Sequence, residues 1–215
     1  MNARSGSRIV IAPPLGRFYP IVDVARVPAP GALALAEAVV AAGARWVQLR
    51  CKDIPSGPVL ALAREVVGLA ARGGARVIVN DRPDLAVLAG AAGVHVGQDD
   101  LPLPAVRRIA PGLVVGVSTH DVAQARRAEA EGADYVGFGP MYATGSKADA
   151  LSPRTSAELR LVRAAIAIPI VAIGGIDEAT AADVLAAGAD AVAMIGALAR
   201  SRDPRALTAR LLALR

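Results

Sequence analysis

Short apolar runs alternate along the chain with longer segments in which apolar residues recur every three or four positions. The runs are Tyr19–Val24, Trp46–Arg50, Val77–Asn80, Val94–Val96, Leu113–Ser118, Tyr135–Phe138, Ile168–Ile173 and Ala191–Ile195. Their β-branched content and length predict buried strands. The stretches Ala32–Ala42, Val59–Ala71, Asp84–Ala89, Pro104–Ile109, Val122–Glu131, Ala157–Ala165, Ala179–Ala187 and Arg205–Leu214 have helical spacing and are rich in Ala, Leu, Arg and Glu. Strand precedes helix throughout, which predicts a parallel sheet. Glycine punctuates the joints at Ala42-Gly43-Ala44, Ala92-Gly93-Val94, Glu131-Gly132-Ala133 and Ala187-Gly188-Ala189. A left-handed residue commonly closes a helix there, and glycine adopts that conformation without a Cβ penalty.

Eight such units predict a closed α/β architecture, the (β/α)8 TIM barrel. The competing fold is an open doubly wound sheet, which five or six units would suggest. It is weakened because no Gly-x-Gly-x-x-Gly turn follows the first run. No linker or shift of composition divides the chain. The expectation is one barrel domain over residues 1–215, with residues 1–16 as an N-terminal extension.

Composition adds detail. Hydrophobic residues make up 54% and aromatic residues only 3%, so the core is built from small branched side chains, as suits a sheet covered on both faces by helices. The net charge of +5 admits either nucleic acid or an anionic small molecule. The basic residues are scattered, and no Lys/Arg run interleaves with aromatics. Most of the charge is therefore read as solvated surface, and nucleic acid is not expected as a partner. The one cysteine, Cys51, excludes an internal disulfide and fits a reducing compartment. It is read as a packed thiol beside a strand end. The run Ile9–Ala12 is cut short by Pro13-Pro14, and no segment approaches the ~18 unbroken apolar residues of a membrane span. A cytoplasmic protein without a membrane partner is the expectation.

In such a barrel, chemistry sits on the loops that follow the strands. Gln48, Arg50 and Lys52 alternate with other residues and so share one face. Their convergence at a barrel mouth calls for an anionic partner. Asn80-Asp81 closes the third run, and Asp100 follows the fourth. Two carboxylates with room for water suit Mg²⁺ holding a diphosphate, although an aspartate there can also cap a helix. His95, among apolar neighbours, is read as a satisfied core histidine. Ser118 and His120 end the fifth run, and Thr144-Gly145-Ser146-Lys147 follows the sixth. Backbone N–H groups, hydroxyls and a cation at one spot are phosphate chemistry. Gly174-Gly175 and Ile195-Gly196 follow the last two strands, where these barrels commonly bind phosphate. Two anion sites result, one with a metal and Arg/Lys, the other with backbone amides. They imply two phosphorylated substrates, or one with two phosphate groups.

The same residues resemble the thiamine-phosphate synthase (thiamine-phosphate pyrophosphorylase) family, which is related to thiazole tautomerase. The resemblance runs from Tyr19-Pro-Ile-Val-Asp23 through Gln48-x-Arg50-x-Lys52, Asn80-Asp81, Gly93-x-His95-x-Gly97-Gln98-x-Asp100 and Gly116-Val-Ser118-x-His120. It continues through Asp134-Tyr-Val-Gly-x-Gly-Pro140, Thr144-x-Ser146-Lys147 and Gly174-Gly175-Ile176. It implies a transferase that joins a hydroxymethylpyrimidine diphosphate to a thiazole phosphate and releases diphosphate with Mg²⁺. Carried over, Gln48 and Ser118 meet the pyrimidine, while Arg50, Lys52, Asn80 and Lys147 grip its diphosphate. Asp81 and Asp100 hold Mg²⁺. Thr144, Gly145, Ser146, Gly175, Ile195 and Gly196 take the thiazole phosphate. Ser118, Lys147 and Arg50 are the expected catalytic residues. The family more often has serine where this chain has Gly196, an acidic residue at Cys51, and a glycine within the segment Ala148–Thr155. Three rival functions stand beside this one. They are a thiazole tautomerase using His120, a non-catalytic barrel that binds a phosphorylated ligand, and a phosphosugar isomerase or epimerase, which would want an acid/base carboxylate pair instead of the Arg/Lys cluster. A homodimer and the form of the thiazole acceptor stay open.

Overall fold

The computed structural model describes residues 14–144 and 152–215. Its strands are β1 (Phe18–Asp23), β2 (Trp46–Arg50), β3 (Arg76–Asn80), β4 (Gly93–Val96), β5 (Val114–Thr119), β6 (Tyr135–Phe138), β7 (Ile170–Ile173) and β8 (Ala191–Met194). The helices are α1 (Ala29–Ala41), α2 (Ser56–Arg72), α3 (Pro83–Ala89), α4 (Leu103–Ile109), α5 (Val122–Ala130), α6 (Ser156–Ala165), α7 (Ala181–Ala186), α8 (Gly196–Ala199) and α9 (Pro204–Leu212). All strand pairs are parallel, and β8 pairs with β1 to close the barrel. The chain is a single-domain (β/α)8 TIM barrel, as its pattern predicts.

Local chemistry sets the helix starts. Asp121 and Asp203 accept backbone N–H groups from Gln124 and Ala206. Thr155 and Glu158 cap α6 reciprocally. Each device satisfies N–H groups that have no partner within the helix. Proline opens α1, α3, α4 and α9, where its missing N–H costs nothing.

Three readings of the pattern change. Of the four predicted joint glycines, Gly43, Gly132 and Gly188 have positive φ, but Gly93 lies inside β4. The helix stop is Gly90, at φ 70. A side chain at Gly93 would put its Cβ 2.4 Å from the Val114 carbonyl, so β4–β5 packing requires that glycine. Strand β7 begins at Ile170, two residues later than predicted, because Pro169 has no N–H to donate, and its carbonyl alone serves the sheet by accepting from Val136. Lastly, α8 is an extra short helix after β8.

Two apolar layers form the core. The outer one packs strand residues such as Val47, Val94 and Val136 against helix residues such as Val39, Val66 and Leu159. The inner one fills the barrel with Leu15, Trp46, Ile78, Val114, Val171 and Ala191 toward the strand starts. Leu15 belongs to the predicted extension, yet it is buried and plugs this end. Among the described residues, Leu15 thus covers the strand starts, and the cavity opens at the C-terminal ends of the strands. Among the described residues, no helix is long and apolar enough to cross a membrane.

Candidate active site

The open end holds a cavity of about 440 Å³, counting the part open to solvent. Its lining includes Gln48, Arg50, Asn80, Ser118 and Ile195, all singled out from the sequence. Each points inward because alternate strand residues face the same way. Tyr19, His95 and Tyr135 line it as well.

Arg50 has a partner within the chain. Its Nη1 donates to Asp23 Oδ2 at 2.6 Å, and Asp23 is only 2% exposed. Register places the two directly opposite on β1 and β2. The other Asp23 oxygen accepts the Ala25 N–H at 3.0 Å. Asp23 is a site residue that the sequence reading quoted but gave no role. Its signal was positional, since Tyr19, Ile21 and Asp23 share a face just as Gln48 and Arg50 do.

Lys52 sits at the rim and pairs with Asp81. Asp81 takes a left-handed backbone at φ 62, a conformation that is strained for any residue with a Cβ and is commonest at functional sites. Its N–H donates to the His95 carbonyl at 2.7 Å, which holds that turn. Burial raises the Asp81 pKa above the ordinary carboxylate range. The Lys52 ammonium lowers it, and the neighbouring Asp100 carboxyl pushes it up again. Asp100 is itself oriented by the Gly97 N–H at 2.7 Å. The two carboxylates predicted from adjacent strand ends do meet.

The loops after β6 and β7 are stitched together. Met141 N–H donates to the Ile173 carbonyl and Tyr142 N–H to the Gly174 carbonyl, both at 2.9 Å. A Cβ at Gly174 would lie 2.5 Å from Pro140, and one at Gly175 would lie 2.6 Å from the Ala143 carbonyl. Both glycines have positive φ. Their first function is close approach of the β6 loop, where the sequence reading assigned them to close approach of a ligand. The contact places Gly175 beside the segment leading to Thr144. The remaining predicted residues of that loop, Gly145, Ser146 and Lys147, lie outside the described residues. Gly196 opens α8 next to Ile195, and the Arg200 guanidinium lies 2.9 Å from where its Cβ would be.

His120 stands outside the cavity lining. Its Nδ1 lies 2.7 Å from the Gly139 carbonyl. A carbonyl only accepts, so His120 donates and ties β5 to the β6 loop. His95 is buried and satisfied, as expected. Its Nδ1 lies 3.0 Å from the Tyr135 hydroxyl and its Nε2 2.9 Å from Ser118 Oγ. It nevertheless lines the cavity, and that was not foreseen. The signals were Gly116 and Gly137, glycines inside strands. A Cβ at Gly116 would strike the Tyr135 ring at 2.1 Å, and one at Gly137 would approach His95 Cε1 at 3.1 Å. Glycine within a strand marks such close approach. Cys51 is half-buried next to this ion cluster. Burial first, and then the Asp23 charge, push its thiol pKa up to about 11, so it is a packed thiol and not a reactive one.

Residues 18–198 match the family described as "Thiamine monophosphate synthase". The chain belongs to that family. It is 48% identical over 198 residues to the thiamine-phosphate synthase of Anaeromyxobacter dehalogenans, covering 92% of this chain and 86% of that one. It is 44% identical over 204 residues to the thiamine-phosphate synthase of Moorella thermoacetica, covering 94% and 92%. Among solved structures, a thiamine phosphate pyrophosphorylase from Pyrococcus furiosus superposes with a TM-score of 0.83 at 31% identity, covering 91% of this chain and 93% of that one. The thiamine monophosphate synthase family thus accounts for the barrel and for nearly its whole length.

Proposed function

We propose that this chain joins 4-amino-2-methyl-5-hydroxymethylpyrimidine diphosphate to 4-methyl-5-(2-phosphoethyl)thiazole, or its carboxylated form, releasing diphosphate and yielding thiamine phosphate. Family membership supports the reaction. The observation that carries the assignment of parts is the division of the open end. A partly enclosed cavity with an amide and a hydroxyl, Gln48 and Ser118, adjoins a rim of cations and carboxylates. The enclosed part suits the uncharged pyrimidine ring, and the charged rim suits its diphosphate.

Arg50, Lys52 and Asn80, with Lys147 from the β6 loop, grip the diphosphate. The positive charge of Arg50 and Lys52 lies where negative charge builds up as the leaving group departs. No general base is needed if the pyrimidine methylene ionises before the thiazole nitrogen attacks. Thr144 to Ser146, Gly175, Ile195 and Gly196 receive the thiazole phosphate.

Asp81 and Asp100 fit a hard divalent cation. Burial first, and then the neighbouring Asp100 carboxyl, raise the Asp81 pKa, so a cation bound there would relieve both. Among the described residues, no cluster of three or more His, Cys, Asp or Glu side chains could hold a metal. The two aspartates would therefore leave positions open to phosphate oxygens and water, as Mg²⁺ prefers. Bound there, Mg²⁺ supplies charge neutralisation of the diphosphate.

The test is diphosphate release by the purified protein given both substrates, with and without Mg²⁺, alongside Asp81→Ala. Release that needs both substrates and Mg²⁺, reduced about a hundredfold or more in the variant, supports the reading. Conversion of the thiazole phosphate alone would replace it with the tautomerase.

A further inference from the structure

Five side chains cross the floor of the cavity in one unbroken line. Gln48 Nε2 donates to the Tyr19 hydroxyl at 3.3 Å. The Tyr19 and Tyr135 hydroxyls lie 2.8 Å apart. The Tyr135 hydroxyl lies 3.0 Å from His95 Nδ1, and His95 Nε2 lies 2.9 Å from Ser118 Oγ. Four strands besides β1 contribute, and the only partly exposed end is Ser118.

Donor and acceptor counting gives the line a direction. An amide nitrogen only donates, so Tyr19 accepts from Gln48, and its own proton goes to Tyr135. Burial pushes both phenol pKa values upward, so both hydroxyls keep their protons. Tyr135, having accepted from Tyr19, sends its proton to His95 Nδ1. That nitrogen is therefore bare, and the imidazole proton sits on Nε2, where it donates to Ser118. Ser118 has then accepted, and its hydroxyl proton is left for the cavity. At the other end, the Gln48 Oε1 is left as an acceptor.

We infer that His95, together with Tyr135 and Tyr19, is a positioning residue that sets Ser118 as a hydrogen-bond donor and Gln48 as an acceptor toward the heteroaromatic substrate. The inference rests on the pyrimidine reading of this cavity. An aminopyrimidine complements that polarity, because a ring nitrogen accepts and the exocyclic amino group donates. A carbonyl-bearing pyrimidine, whose ring N–H donates, meets the wrong group at each end. The specificity of the site thus originates in a chain of protons, most of which never touch the ligand. Gly116 and Gly137 are part of the device, since a Cβ at Gly116 would collide with both Tyr135 and His95 Nδ1.

The two histidines of the chain make the test internal. His120 donates from Nδ1 to the Gly139 carbonyl, whereas the chain requires His95 to carry its proton on Nε2. Nitrogen-15 NMR of histidine-labelled protein at about pH 8 reads the two tautomers, with His120→Asn for assignment. One tautomer of each kind is expected. An Nδ1–H tautomer at His95 would overturn the proposal, because the line would then run the other way. In Tyr135→Phe the bare nitrogen loses its donor. The His95 signal should then shift toward a tautomer mixture, and kcat/KM for the pyrimidine diphosphate should fall about tenfold, the equivalent of one hydrogen bond. KM for the thiazole phosphate should hold. An unchanged His95 signal in that variant sinks the proposal, as does an equal rise in both KM values. Tyr19→Phe, one link farther away, gives the same readout if Tyr135→Phe folds poorly. The tautomer is read without substrate, so correct tautomers with no turnover would count against the proposed reaction and not against the chain.

Discussion

The two ends of the barrel use the same ion pairs in opposite ways. At the strand starts, Arg107 of α4 donates to the Leu113 and Gly132 carbonyls and to Asp134, at 2.6, 2.7 and 2.6 Å. Asp134 also accepts the Val115 N–H at 2.7 Å. Two units later the device recurs. Arg163 of α6 binds the Ile166 and Ile168 carbonyls and Asp190, and Asp190 accepts the Ile170 N–H. In both, an aspartate just before one strand takes an N–H from the start of the previous strand, while an arginine from the helix that precedes both strands spans the gap. At the strand ends, among the described residues, Arg50 has one acidic partner, Asp23, and Lys52 one, Asp81. Each lower arginine is held by two carbonyls and one carboxylate of the protein itself. The upper cations are aimed by a carboxylate and keep donors in reserve. The teaching is that the number of protein acceptors around an arginine, three for Arg107 and Arg163 against one for Arg50 among the described residues, separates a structural arginine from a ligand-binding one, where burial and charge alone do not.

Substitutions at each end should therefore fail differently. The largest effect is expected from Asp23→Asn, which removes the charge that aims Arg50. It should lower kcat/KM about a hundredfold, the scale of misplacing a catalytic group, and shift the melting temperature by only a few degrees. Steady-state kinetics beside a thermal melt checks this, and a collapse in stability with intact turnover would erase the distinction. Arg107→Ala should do the reverse. It leaves the buried Asp134 carboxylate without its cation and should cost about 2–3 kcal/mol, somewhat below a fully buried broken pair because Arg107 is partly exposed. Urea unfolding reads the loss, and kcat of the folded enzyme should hold. The smallest effect concerns Cys51. With its thiol pKa pushed up to about 11, the neutral form dominates at pH 8, and alkylation should be slow. Because the Asp23 charge contributes to that rise, Asp23→Asn should lower the thiol pKa and speed labelling. Timed labelling by mass spectrometry, repeated at rising pH, decides it.

Much of this was legible in one dimension. Period-two alternation in Trp46–Arg50 placed Gln48 and Arg50 on the inner face, and both line the cavity. Asp81 and Asp100 were placed at neighbouring strand ends, and they meet. Misreadings arose where one residue type serves two purposes. A glycine near a helix end is a stop at Gly90, but at Gly93 it gives clearance between strands. Gly174 and Gly175 looked like a cradle for a ligand and are first a seat for the β6 loop. Asp23 was overlooked because a lone carboxylate at a strand end shows nothing of what lies opposite it.

The alternation of strand and helix, the inward face of each strand and the end of the barrel that carries chemistry were all determined by the sequence, because periodicity is a local property of the backbone. Which inward residues touch was decided only when the barrel closed. Asp23 meets Arg50 across 27 positions, His95 meets Tyr135 across 40, and Tyr19 meets Tyr135 across 116. Hydrogen bonds depend on distances of a few tenths of an ångström, and no spacing along the chain encodes such distances between strands on opposite sides of a barrel.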